Sequence, residues 1–145
     1  MSATEAPGSE VPAAGSAEEH VELALPVRPE LWVLARMSAS AIASRLDFGF
    51  DAVEDLRLAI DELCNSCAAG AAADSRLRLV YRWDDDTIHV ACEVSPIGPA
   101  SPVAADTLEL SARILDALVD EHGIDPVDDG RRKGWLTKSR PTLGL

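Results

Sequence analysis

A chain of 145 residues suffices for one folded domain with its own core, and its formal net charge of −12 argues against a phosphate-binding or nucleic-acid surface, which works through clustered Lys and Arg. An acidic protein of this kind more naturally meets a basic protein partner. Hydrophobic residues make up 47% but aromatic ones only 4%, so aliphatic side chains and alanine must fill the core. The start of the chain lacks a basic, then apolar, leader pattern, and no apolar run reaches membrane-spanning length, so the expectation is a cytoplasmic protein with no membrane segment. In that reducing compartment three cysteines predict no disulfide framework.

Residues 1–19 are rich in Ala, Pro, Gly, Ser and Glu without periodicity and read as a disordered tail. The domain is expected over 20–140, with a short tail at 141–145. His20 to Val27 alternates through Val21, Leu23, Leu25 and Val27 and predicts a strand, with Pro26 placing it at a sheet edge or strand end. Pro29 opens a first helix, where its missing N–H costs nothing. Its helical spacing through Leu31, Leu34, Met37 or Ser38, Ala41, Ile42 and Leu46 runs to about Asp47. Asp47-Phe48-Gly49 then turns the chain.

Phe50 to Gly70 is the longest segment of unbroken helical periodicity. At about 100° per residue, Val53, Leu56, Ile60, Leu63, Cys64 and Cys67 share one face. The opposite face carries Asp55, Glu62 and Ser66, with Asn65 at its edge. Asp51 and Glu54 form a capping-box pattern at the start, and Gly70 supplies a stop. Asp61 stands four residues after Arg57, the spacing of a helix ion pair.

A loop at 71–75 leads to two strands. Leu77, Leu79, Tyr81 and Trp83 alternate with Arg76, Arg78 and Arg82, so one face is apolar and the other basic. Asp84-Asp85-Asp86 reverses the chain into Ile88, Val90, Cys92 and Val94, a β-hairpin. The proline-rich stretch 95–105 predicts a loop. Leu108 to Glu121 predicts a third amphipathic helix stopped at Gly123, and Lys133 to Lys138 a last strand. The order strand, helix, helix, hairpin, helix, strand implies an α+β two-layer sandwich.

Cys64 and Cys67 spell Cys-x-x-Cys. A redox pair needs its first cysteine at a helix N-terminus, and these lie more than two turns inside one, on its apolar face. A zinc site needs further ligands, which Cys92 and the scattered His20, His89 and His122 do not supply, so no metal site is expected and the three cysteines read as small core residues. Glu62 is open to two readings: a solvated helix carboxylate paired with an arginine, or a functional group in a pocket.

The run from Asp55 to Ser66, DLRLAIDELCNS, resembles the N-box helix of the bacterial anti-sigma-factor serine kinases, relatives of the histidine kinases, gyrase and Hsp90. The resemblance spans about Val21 to Lys138. It implies helices over a mixed, mostly antiparallel sheet, the histidine-kinase/Hsp90-type ATPase fold. It also implies a homodimeric regulator of transcription in the stress response, which sequesters an alternative sigma factor and is countered by an anti-anti-sigma factor. In that family a Glu of the N-box is the general base and an Asn four residues later helps hold the magnesium ion of ATP. Glu62 matches the Glu. Ser66 stands where the Asn belongs, and Asn65 lies one step out of register. The family's adenine-reading Asp-x-Gly-x-Gly loop would fall at Val94 to Pro102, which has no Asp and a lone Gly98 before Pro99. The third helix opens on Asp106 and Glu109 without a phosphate-binding glycine.

The implied function is therefore anti-sigma binding, with Glu62 as a residual base, Asn65 and Ser66 as a degenerate magnesium/ATP position, and no cofactor expected. The rivals are an active ATP-dependent serine kinase of the anti-anti-sigma factor, using ATP and magnesium, and a non-enzymatic adaptor of the same fold. Direct nucleic-acid binding is not expected.

Overall fold

The computed structural model describes residues 19–97 and 105–142, with the first two of the latter stretch described in backbone only. Five strands and three helices follow in the order β1 (Val21–Pro26), α1 (Trp32–Arg45) after a 3-10 turn at Pro29–Leu31, α2 (Phe50–Ala68), β2 (Arg76–Trp83), β3 (Thr87–Ser95), α3 (Ala105–Leu118), β4 (Glu121–Ile124) and β5 (Arg132–Ser139). The sheet order is β1-β2-β3-β5-β4, and the helices cover one face, which gives the expected two-layer α+β sandwich.

Every pairing is antiparallel, so among the described residues the sheet contains no parallel pair where a mixed one was expected. Connectivity explains this. Two helices between β1 and β2 return the chain reversed, β2–β3 and β4–β5 are hairpins, and the single crossing of α3 places β4 outside β5 rather than beside β3.

Alternation along the strands separates the two faces. Leu77, Leu79, Tyr81, Ile88, Val90, Cys92, Val94 and Leu136 point into the core under the helices. Arg76 and Arg78 lie on the outer face, as expected, and Arg78 pairs there with Glu22 at 2.7 Å. The Arg78 hydrogen bond, followed by the one from His20, holds the Glu22 carboxyl below its usual range. From α2, Leu56, Ala59, Ile60, Leu63, Cys64 and Cys67 are fully buried. Gly134 on β5 lets α2 settle this low, since a Cβ there would stand 2.7 Å from Cys67 Sγ and 3.0 Å from Leu63 Cδ1.

Several local expectations are corrected. The N-cap of α2 is Gly49, not Asp51, which sits in the first helical turn. The helix begins two residues after the buried Phe48, which anchors the turn. Gly70, at φ 76°, does end the helix region as expected. Asp61 pairs with Arg36 of α1 at 2.6 Å rather than with Arg57, because the neighbouring helix brings a guanidinium closer than its own turn does. The third helix stops at Leu118, and Glu121–Ile124, expected to end it, is strand β4. Gly123 is needed for close approach to β5, as a Cβ would come within 2.8 Å of Trp135 Nε1, and not for a helix stop.

Helix α1 turns a different face inward from the one its larger residues suggested. Trp32, Ala35, Ala39, Ile42 and Ala43 are buried, and Leu31 and Leu46 at its two ends pack partly against the core as expected, whereas Leu34 and Met37 are exposed. The proposed tail 1–19 lies, but for Glu19, outside the described residues, as do 98–104 of the proline-rich loop and 143–145.

Candidate functional site

Glu62 and Ser66 stand one turn apart on α2, on the stripe that faces α3. Both meet Ser111, on the inner face of α3. The Ser66 hydroxyl donates to Ser111 Oγ at 2.9 Å, and the Ser111 hydroxyl donates in turn to Glu62 Oε2 through a short contact. Ser66 and Ser111 are buried and Glu62 is half-buried. One hydrogen-bonded chain of three groups, two of them buried, therefore joins α2 and α3 along their seam. Every hydroxyl proton in it has an acceptor, which is what a polar group away from water requires.

Asn65 is not part of this seam. Its Oδ1 accepts the Trp32 indole N–H at 2.8 Å, and this bond ties the start of α1 to the end of α2. The three residues proposed for a metal–nucleotide position thus divide. Glu62 and Ser66 are brought together through a third residue, and Asn65 holds a core tryptophan.

The carbonyls at the C-terminal end of α2 are capped by Arg132, which donates from Nη1 to Ser66 O at 3.5 Å, to Cys67 O at 3.2 Å and, in a short contact, to Ala69 O. Arg132 is buried, and burial pushes its pKa below the usual value. The three cysteines are free and buried, as the core reading of Cys-x-x-Cys requires. The neighbouring Cys64 and Cys67 thiols, together with burial, push the Cys92 thiol well above its ordinary pKa, so it stays protonated. Among the described residues no group of three His, Cys, Asp or Glu is arranged to hold a metal ion. The histidines pair with Glu22 (His20), with Thr137 and Asp84 (His89), and with Asp116 (His122).

Ser111, Trp32 and Arg132 were not foreseen. Ser111 left a faint signal: it stands one turn before the apolar Leu115 on an amphipathic helix, and a polar residue on that stripe needs a polar partner opposite. Trp32 and Arg132 gave none, since their partners lie 33 and 63 or more residues away.

As placed, these groups do not match a magnesium–nucleotide site. The carboxylate oxygen that would act as base accepts a hydrogen bond from within the chain. The serine at the metal-ligand position donates its proton inward, and the Asn65 amide oxygen is held by an indole.

No family model matches the chain. It is 38% identical to the anti-sigma-F factor RsbW of Mycobacterium tuberculosis over 77% of this chain and 64% of that protein, and so spans just under two thirds of that relative's length. It is 26% identical to the serine-protein kinase RsbW of Bacillus licheniformis over 79% of this chain and 82% of the relative, and 24% identical to that of Bacillus subtilis over 71% and 76%.

Proposed function

We propose that this chain, which belongs to the RsbW-like family of anti-sigma factors and serine-protein kinases, acts as an anti-sigma factor that holds an RNA polymerase sigma factor by direct binding and without nucleotide. An anti-anti-sigma factor releases the sigma factor by competing for the same chain. The protein works in the cytoplasm as a homodimer. No helix of the described residues is long and apolar enough to cross a membrane, which is consistent with that setting.

The observation that carries the nucleotide-free reading is the Ser66–Ser111–Glu62 seam. Binding ATP there would require α3 to give up two hydrogen bonds, one of them buried. The lost adenine-reading Asp and the acids Asp106 and Glu109 near the start of α3 weaken the site further. Each missing hydrogen bond to a charged group is worth about 1.5–3 kcal/mol. Two such losses move a micromolar site to about millimolar, since every 1.4 kcal/mol is about tenfold. Exposed apolar residues, Val33, Leu34 and Met37 on α1 and Leu108, Leu110 and Ile114 on α3, supply surface of the kind protein partners bury.

The test is size-exclusion chromatography of the chain mixed with each alternative sigma factor of its own organism, with and without ATP and magnesium. One sigma factor is expected to co-elute equally in both conditions, and calorimetric titration of magnesium–ATP is expected to give no heat. Co-elution that depends on ATP, with a saturable isotherm abolished by Glu62→Ala, would restore the kinase.

A further inference from the structure

One end of the molecule gathers acidic side chains from separate elements beside an exposed aromatic ring. The α1–α2 turn contributes Asp47, the first turn of α2 contributes Phe50 and Asp51, and the β2–β3 turn contributes Asp84, Asp85 and Asp86. Arg140 to Thr142 follow β5. Asp47, Phe50, Asp51, Asp86 and Arg140 line a cavity of about 870 Å³. A second cavity of about 500 Å³, sharing Asp47 and Arg140, adds Trp83, Asp84, Asp85 and Arg45. Phe50 is 77% exposed, the most exposed large apolar residue described, although Phe48 two residues earlier is buried. Gly49 between them has open space where a Cβ would stand.

The five carboxylates outnumber the cations beside them. Arg140 donates from its guanidinium to Leu46 O at 2.7 Å, so it is engaged in ending α1, and Arg45 is the other cation lining these cavities. Asp86 accepts from the Thr87 hydroxyl at 2.9 Å, which leaves its charge in place.

We propose that this acidic end, with Phe50 in one of its two cavities, is a docking surface for a basic segment of another protein that carries an apolar side chain. Charge complementarity selects the occupant. An acidic segment is repelled, and a purely apolar one would have to strip water from the carboxylates without pairing them. An arginine-bearing segment pairs its guanidinium with the aspartates, stacks it on the Phe50 ring, and lays an apolar neighbour in the concavity. A bound metal ion does not fit, since the described acids are not grouped as ligands.

The test measures binding of a short labelled peptide containing arginine and leucine to the full chain by fluorescence anisotropy, with the peptide bearing glutamate for arginine as control. Wild type is expected to bind the first and not the second. Phe50→Ala and the triple change Asp47→Asn, Asp51→Asn, Asp86→Asn are each expected to weaken binding by about tenfold or more. Asparagine is chosen because Asp47 has φ 62°, which Asn tolerates. The matched control removes three charges at a different acidic cavity, Asp125→Asn, Asp128→Asn, Asp129→Asn, where Asp129 is likewise left-handed. That control is expected to change binding by no more than about twofold. Equal losses from the two charge sets, an unaffected Phe50→Ala, or no binding by wild type would each overturn the proposal. Circular dichroism confirms that each variant is folded, and the exposure of Phe50 makes its truncation structurally mild.

Discussion

Helices α1 and α2 lie side by side over one sheet, yet only α2 buries the face its sequence advertises. In α2 most of the large apolar residues occupy one stripe, with Phe50 and Leu58 exposed outside it, so a single orientation satisfies the core, and Leu56, Ile60 and Leu63 fill it. Helix α1 is apolar on more than one side. Its larger residues Leu34 and Met37 suggest one stripe, its alanines another, and the two overlap only at Ile42. The alanine stripe faces inward. Tyr81, buried in the sheet, donates its hydroxyl to Ala35 O at 3.0 Å, and Trp32 donates to Asn65. The Tyr81 bond needs the α1 backbone close to the sheet, which small residues permit and Leu or Met would block. Deep burial also raises the Tyr81 pKa, so the phenol keeps the proton this bond uses. Periodicity identifies a helix. It identifies the buried face only when one face is apolar.

The largest expected effect lies in α2. Leu56→Ala or Ile60→Ala should each cost about 2–5 kcal/mol in urea unfolding, because both side chains are fully buried and leave a cavity. A cost near zero in either would show that α2 is no better read than α1.

Ala39→Leu tests the contrast from the other side. Ala39 is fully buried where α1 packs down, so the added atoms should overpack the interface and cost about 1–3 kcal/mol. If the Leu34–Met37 stripe faced the core instead, Ala39 would be near the surface and leucine would be tolerated.

Much of the architecture was legible because alternation and helical spacing are local signals. The β2–β3 hairpin, with its apolar and arginine-bearing faces, and the buried Cys-x-x-Cys pair both follow from residues a few positions apart. The site was less legible. Glu62 and Ser66 were picked out, but the group that joins them, Ser111, lies 45 residues beyond Ser66, and only the meeting of α2 with α3 makes it their partner. Asp61 shows the same limit. Local spacing pointed to Arg57, and a neighbouring helix supplied Arg36. Strand β4 was missed because a four-residue strand carries too little alternation to announce itself, and its glycine imitates a helix stop.

A smaller effect is expected at the seam. Ser111→Ala removes the donor to Glu62 and the acceptor for Ser66, and should cost about 1–3 kcal/mol by leaving the Ser66 hydroxyl unpaired in a buried place. Ser66→Ala/Ser111→Ala should then cost less than the sum of the two single changes, measured as a double-mutant cycle. Strict additivity would mean that the two hydroxyls do not act together.

The smallest effect is expected on the outer face of α1. Met37 is 58% exposed and Leu34 41%, so both side chains keep a substantial part of their contact with water on folding. Met37→Ser should therefore change the unfolding free energy by no more than about 0.5 kcal/mol, the usual range for a surface substitution, with a slight loss from the lower helix propensity of serine. Leu34→Ser, somewhat less exposed, should stay close to the same range. Both substitutions fall on the stripe that the larger side chains of α1 would assign to the core. On that assignment each would strip a buried side chain and insert a hydroxyl, at a cost comparable with Leu56→Ala. The size of the gap between Met37→Ser and Leu56→Ala in one urea titration series thus measures how differently the two helices use their apolar residues. A Met37→Ser cost above about 2 kcal/mol would put the outer stripe of α1 back in the core.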